Sequence, residues 1–182
     1  MNRICSFILL LLIVTACFSG QKSLQRGNYY DAILKAVNRL SNDPNNSKSI
    51  QVVREGYPMS LAYYQEQIDL ILSGNDPFRW KRTYDMMQSV NKMTEEIRRI
   101  PAARQLVPSP KTYTTELSDV AGKAAQECYD AGVDALNKDT RETAKQAYFY
   151  FVDADAMVRG FKDTKQKILT SKDLATLKVI VE

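Results

Sequence analysis

Few side chains in this sequence can carry covalent chemistry: three cysteines, Cys5, Cys17 and Cys128, and no histidine in 182 residues. The missing imidazole excludes Ser-His-Asp and Cys-His nucleophilic catalysis. It also removes the commonest metal ligand, and zinc hydrolase chemistry with it. The acids offer no substitute. Asp153 and Asp155 flank Ala154, so on a helix they point about 200° apart and cannot share one ion. Glu95 with Glu96, and Asp130 with Asp134, read as ordinary surface acids. There is no glycine-rich phosphate loop and no Gly-x-Ser-x-Gly elbow. The expectation is a non-enzyme with no catalytic residue, no metal site, no cofactor and no small-molecule substrate. Cys128 stands among Ala124, Ala125 and Ala131 and reads as a small buried residue rather than a reactive thiol. That leaves Cys17 as the residue placed for modification.

The residues around Cys17 say what the modification would be. Arg3 gives a short positive start, Phe7 to Ala16 is an apolar run of ten residues, and Val14-Thr15-Ala16-Cys17 closes it with small side chains before the cysteine. A bilayer-spanning helix needs about 20 residues, so the run fits the h-region of a secretory signal. The pattern resembles the lipobox of bacterial lipoproteins. That resemblance implies that residues 1–16 are a signal peptide, that the Cys17 thiol is acylated with a palmitate-type chain, and that cleavage leaves Cys17 as the new N-terminus. Acyl chains contribute about 0.8 kcal/mol per buried CH2, so several of them hold a protein on a membrane almost permanently. The first partner would then be the membrane itself, through the N-terminal lipid. Phe18 stands where an aspartate would resemble the inner-membrane retention signal of enteric bacteria. Its presence points to the outer membrane, with the periplasmic and surface faces both open. Cys5 would leave with the signal, so Cys128 has no partner for an internal disulfide.

The charge is modest but unevenly placed. Residues 79–111 hold eight basic and three acidic side chains, including Arg79, Lys81, Arg82, Arg98, Arg99 and Arg104, whereas residues 112–158 hold four basic and nine acidic. The basic stretch could meet anionic headgroups or an acidic partner. A solvated helix face pairing with the acidic stretch beside it accounts for the pattern more simply. No nucleic-acid motif is present, and none is expected in an exported lipoprotein.

The elements that must position these residues read as helices between sharp punctuation. Gly27-Asn28 opens a helix from about Tyr29 to Ser41, closed by Asp43-Pro44-Asn45-Asn46. A second covers about Lys48 to Glu55, stopped by Gly56. A third starts at Pro58, a residue suited to a first helical position, and carries Leu61, Tyr64, Ile68 and Ile71 at helical spacing. Asn75-Asp76-Pro77 starts a fourth that runs to about Ile100, with Trp80, Tyr84, Met87, Asn91, Thr94 and Ile97 along one stripe. Pro101, Pro108 and Pro110 mark residues 101–111 as a connecting loop. Beyond it, Leu117, Ala121, Ala124, Cys128, Ala131 and Ala135 form a small-residue seam that would let two helices approach closely. Ala144, Ala147, Phe151, Ala154 and Val158 make the facing stripe, broken at Arg159-Gly160. Asp163 and Gln166 look like a capping box for a last helix ending near Leu169 to Ser171.

Two of these stretches resemble tetratricopeptide repeats. Gly27-Asn28-Tyr29-Tyr30-Asp31-Ala32-Ile33 followed by Asp43-Pro44-Asn45-Asn46 is similar to the second helix and closing turn of such a repeat, with Arg39 where the family prefers a small residue. Its first helix is cut to a stub after Cys17. Residues 125–162 resemble a fuller unit, with Tyr129, Gly132 and Leu136 on one helix and Ala147, Phe151 and Ala154 on the next. A lipobox followed by degenerate repeats also resembles lipoproteins of Bacteroidota. The resemblance implies an all-α fold of antiparallel helical hairpins stacked as a short solenoid. Its parts would be residues 1–16 as signal, 17–100 as N-terminal hairpins, 101–111 as a Pro-rich connector, 112–171 as the C-terminal repeat-like unit and 172–182 as a tail. The tail, Leu177-Lys178-Val179-Ile180-Val181-Glu182, is β-branched and alternating. It reads as a strand that either joins a partner's sheet or begins a further β-rich domain.

Repeats of this kind bind proteins on a concave face and need no catalytic pocket. The implied function is a membrane-anchored, non-enzymatic scaffold for another protein of the cell envelope. Alternatives are a module binding an envelope polymer such as peptidoglycan or glycan, and a spacer for a further C-terminal domain. Tyrosines such as Tyr29, Tyr30, Tyr63, Tyr64, Tyr148 and Tyr150 serve either as binding anchors or as core filler with a wet hydroxyl. The candidate binding residues are Tyr63, Trp80, Arg82, Arg98, Arg99 and Tyr148.

Overall fold

The computed structural model describes residues 20–176. The signal segment 1–16, Cys17 and the strand-like residues 177–182 lie outside the described residues. Every regular element described is an α-helix: α1 (Gln21–Gln25), α2 (Tyr29–Asn42), α3 (Ser47–Ser73), α4 (Arg79–Arg99), α5 (Pro101–Leu106), α6 (Thr115–Leu136), α7 (Arg141–Met157) and α8 (Thr164–Ala175). The all-α expectation holds. The described residues form two interleaved units, 20–67 with 87–113 and 68–86 with 114–176, because α3 and α4 each contribute a segment to both.

In the first unit, α2 buries Ala32, Ile33, Ala36, Val37 and Leu40 on one face, and the Asn28 side chain accepts the Asp31 N–H at its start. Asn46 caps α3 in the same way, accepting the Ser49 N–H at 3.1 Å. The expected break at Gly56 and Pro58 is absent, and one helix runs through both. Gly56 is not a stop but a point of close approach. A Cβ there would lie 2.9 Å from Cδ1 of Leu24, on α1. Pro58 removes one donor, yet both it and Arg54, whose carbonyl loses its partner, are exposed. Water can satisfy that oxygen, so the helix continues. The expected loop at 101–111 is also half helix. Pro101 sits at the first position of α5, where its missing N–H costs nothing, and Ala103 is buried below it.

Residues 110–113 belong to no regular element and are held by side chains. The Asn91 amide donates to the Tyr113 carbonyl and accepts the Tyr113 N–H, both at 2.7 Å. Arg98 donates to the Pro110 carbonyl at 3.2 Å. Around Lys111 the hydrogen bonds close a ring. The Lys111 N–H donates to the Tyr57 hydroxyl (2.8 Å), and the Thr94 hydroxyl donates to the Lys111 carbonyl (2.5 Å). The 3.2 Å contact between the two hydroxyls must then run from Tyr57 to Thr94, whose one proton is already committed. Tyr57 and Thr94 are buried, and such closed chains polarise one another. The tyrosines buried in the core are thus Tyr57 and Tyr113, not the doublets.

The second unit is built on α6, α7 and α8, with α7 packed on both neighbours, joined to residues 68–86 of α3 and α4. The buried stripe of α6 is Val120, Ala124, Ala125, Cys128, Gly132 and Ala135. The sequence seam was rotated slightly from it: Leu117, Ala121 and Ala131 are only half-buried. On α7 the expected Ala144, Ala147, Phe151 and Ala154 are all buried. Phe151 is the large side chain that the small ones accommodate. A Cβ on Gly132 would fall 2.7 Å from its ring. Thr140 and Thr143 make a reciprocal capping box for α7, whereas Asp163 makes none for α8. Asp163 instead accepts the Tyr129 hydroxyl at 2.6 Å. The end of α7 is tied to α8 by Asp155, which accepts Gly160 N–H (2.8 Å) and the buried Thr164 hydroxyl (2.9 Å). These bonds hold the Asp155 carboxyl below its usual range. The helix then runs to Ala175, so the first four residues of the expected tail, 172–175, are helical: Lys172, Asp173, Leu174 and Ala175 carry no breaker.

Two substitutions test this packing. Gly132→Ala forces its methyl into a ring that cannot retreat and should destabilise the protein by about 1–3 kcal/mol. Gly122→Ala, on the same helix with nothing within 4 Å of its Cβ, should stabilise by about 0.5–1 kcal/mol. Urea melts of the pair separate packing from propensity. Tyr57→Phe opens the hydrogen-bonded ring at Lys111 and leaves a backbone donor unpaired. A loss of about 1–3 kcal/mol is expected, with amide exchange fastest to rise at Lys111.

Candidate interaction groove

The start of α4 is fixed from within and from a distance. Asp76 accepts the Phe78 N–H at 2.8 Å and pairs with Arg82 at 2.6 Å. Glu127, forty-six and forty-seven positions further on, reaches from α6 to accept the N–H groups of Trp80 (3.0 and 3.2 Å) and Lys81 (2.9 Å). A carboxylate here meets the positive end of the helix dipole as well as its unpaired donors. It sets Trp80 beside α6, where Lys123 lies 4.1 Å and Arg79 5.3 Å from the indole ring. Both are within cation–π range.

Below this cluster is an open concavity of about 610 Å³, lined among others by Arg79, Trp80, Lys123, Gln126, Glu127 and Asp130. A second, of about 420 Å³, adjoins it and shares Pro77, Glu127 and Asp130. Its walls are Phe78 stacked on Tyr150, with ring centroids 5.5 Å apart, and its other side carries Ala131 and Asp134 of α6 and Lys138 in the turn just after it. Together they make a groove along α6, wholly within the second unit.

Of the sequence candidates, the structure places only Trp80 in this groove. Arg82 is engaged by Asp76. Tyr148 packs edge-on against exposed Phe149 at 5.3 Å. In the first unit, Tyr63 packs at a tilt against Tyr29 with ring centroids 5.1 Å apart, Arg98 holds the Pro110 carbonyl, and Arg99 pairs with Glu96. The basic stretch is therefore largely spent on local partners, Lys81 included. Burial alone would lower the Lys81 ammonium, but its hydrogen bond to Asp85 and the charges of Asp85 and Asp153 leave it raised. Sequence reasoning missed Lys123, Glu127 and Phe78, and set aside Asp130 and Asp134. Trp80 offered the only signal, as the sole tryptophan in the chain.

Cys128 is buried, and desolvation first, then the charge of Asp153, pushes its thiol up to about 12. It is held as a thiol, not a nucleophile. No group of three or more Cys, Asp or Glu side chains among the described residues is placed to hold a metal ion. No described helix is long and apolar enough to cross a membrane. No family model matches the chain, and no curated protein or solved structure matches it.

Removing Glu127 is the direct test of the groove's construction. Glu127→Ala should cost about 1.5–3 kcal/mol, the loss of charged hydrogen bonds to two backbone donors. It should also shift the emission of Trp80 to the red as the indole is released. Glu127→Gln keeps one acceptor and should fall between.

Proposed function

We propose that this chain is a membrane-anchored, non-enzymatic scaffold of the bacterial cell envelope, built of tetratricopeptide-like hairpins, that holds a protein partner in the groove along α6. The observation that carries the reading is the groove: elongated, open to solvent, walled by Trp80 and the Phe78–Tyr150 stack, and floored by charged side chains of one helix. Such a surface suits an extended segment. The meeting of Gly132 with Phe151, beside Tyr129 and Ala147, supports the repeat-like reading of α6 and α7. The Val14-Thr15-Ala16-Cys17 pattern supports the lipid anchor and, with Phe18, an outer-membrane address.

The groove also favours one specific rival. A half-exposed indole beside Gln126 and Asp130 is a stacking platform for a sugar ring, which would make the chain a module for an envelope polymer. A photo-crosslinking side chain in place of Asp134, inside the groove, or of Lys145, exposed on α7, separates the two in living cells. The scaffold reading expects one discrete protein adduct from position 134 and none from 145. Retention on isolated cell wall, lost in Trp80→Ala, without a protein adduct would replace it by the polymer reading. The anchor is tested by the intact mass of protein from native membranes, which should equal residues 17–182 plus acyl groups. An unacylated mass would remove the tether.

A further inference from the structure

The two ends of the α6 groove differ in charge, with two cations and Trp80 at one and two aspartates, beside a single Lys138, at the other. At one end stand Arg79 and Lys123, both against Trp80. Arg79 is steadied by a bond to the Gly74 carbonyl at 3.2 Å, and among the described residues neither cation has a carboxylate within ion-pair distance. Two acids that line the groove with them are engaged: Asp76 by Arg82, and Glu127 by the backbone of α4. At the other end stand Asp130 and Asp134, one helical turn apart on the exposed side of α6. Asp130 accepts only the Gln126 amide at 2.6 Å, and neither has an ion pair among the described residues. Asp130 and Asp134 repel as like charges four apart on a helix, and Arg79 and Lys123 meet over one indole without a carboxylate between them, so both ends of the groove gain from an opposite charge supplied by something else. Pro77 lines both concavities, and the Phe78–Tyr150 stack gives the one that holds the aspartates an apolar wall.

We infer that the groove takes an extended peptide segment of mixed charge. An acidic side chain or terminal carboxylate sits between Arg79 and Lys123, an apolar residue lies against Pro77 and Phe78, and a lysine or arginine reaches Asp130 and Asp134. The rise of α6 sets the spacing. From Lys123 to Asp130 and Asp134 is about 10 to 16 Å at 1.5 Å per residue. An extended chain covers that in about three to five residues. The charge pattern then specifies which segment fits, and the aromatic walls supply most of the contact area. This deepens the scaffold reading and rests on the groove being the interaction surface.

The test uses the full mature chain in detergent and four capped octapeptides on one alanine and leucine framework, free of tryptophan and tyrosine. They carry Glu and Lys four positions apart, two Lys, two Glu, or two Gln. Binding is read from the emission of Trp80, the only indole present. The mixed peptide should bind at least tenfold more tightly than the other three. Preference should then follow the groove. Arg79→Gln with Lys123→Glu should move it to the two-Lys peptide, and Asp130→Lys with Asp134→Lys to the two-Glu peptide. Circular dichroism should be unchanged, which a change in preference caused by unfolding would not allow. Equal binding of all four, a wild-type preference for a single sign, or no binding overturns the inference. The crosslink at position 134 tells that failure apart from a failure of the scaffold reading. An adduct with no mixed-charge preference leaves the groove in use by a partner of other chemistry, and its absence removes the groove itself.

Discussion

The second unit depends on one carboxylate. A helix begins with N–H groups that have no partner in the helix, and usually a side chain next to them in sequence supplies one. Here α4 obtains its partner from Glu127, on another helix. The bond is local in energy but not in consequence. It fixes where α4 starts, keeps Trp80 against α6, and uses up the acid that would otherwise neutralise Lys123, four positions before it on the same helix. The uncompensated charge at the Trp80 end of the groove therefore follows from the way α4 is capped.

The hairpin below the groove depends on side chains that are missing. Gly132 leaves room for Phe151, and small buried residues meet between α6 and α7, Ala125 and Cys128 with Ala154, and Ala135 with Ala147. Close helices bury little area per residue, so Phe151 must fill the space that alanines leave. In the first unit Gly56 does the same for Leu24. At both positions a residue with a poor helix propensity stands inside a helix where a Cβ would crowd a neighbouring side chain, a contact that weighs against the roughly 1 kcal/mol that glycine costs.

That competition explains what could be read from the sequence and what could not. The helices α2 and α7 were legible because cap, apolar stripe and stop agree: Asn28 and the Ala32 to Leu40 face, then Ala144 to Ala154 before Arg159-Gly160. The reading failed where one residue has two uses. Gly56 and Pro58 look like a helix boundary, but one is a contact and the other faces solvent. Pro101 ends α4 and begins α5 in a single step. Asp163 resembles a cap but holds a tyrosine hydroxyl instead. Within the groove, Trp80 was conspicuous by type, whereas Glu127 was not, since a surface acid and a remote helix cap look alike until the chain is folded. The arginines chosen with Trp80 failed as candidates for the opposite reason. A basic run carries its neutralising partners nearby, such as Asp76 for Arg82 and Glu96 for Arg99.

The proposed tether constrains what the groove can meet. Gly20, the first described residue, is buried in the first unit, and only Phe18 and Ser19 separate it from Cys17. Three peptide units reach at most about 11 Å. An acyl chain on Cys17 would thus leave no long stalk, and the folded chain would work against the bilayer surface. Confinement of that kind raises the effective concentration of any partner anchored in the same membrane. A groove that gains only a few charge contacts and one apolar stretch can then serve with a weak intrinsic affinity. Salt bridges at exposed positions contribute at most about 1 kcal/mol each. They are poorly suited to hold a soluble partner at low concentration, but sufficient to choose among neighbours already held at the same surface.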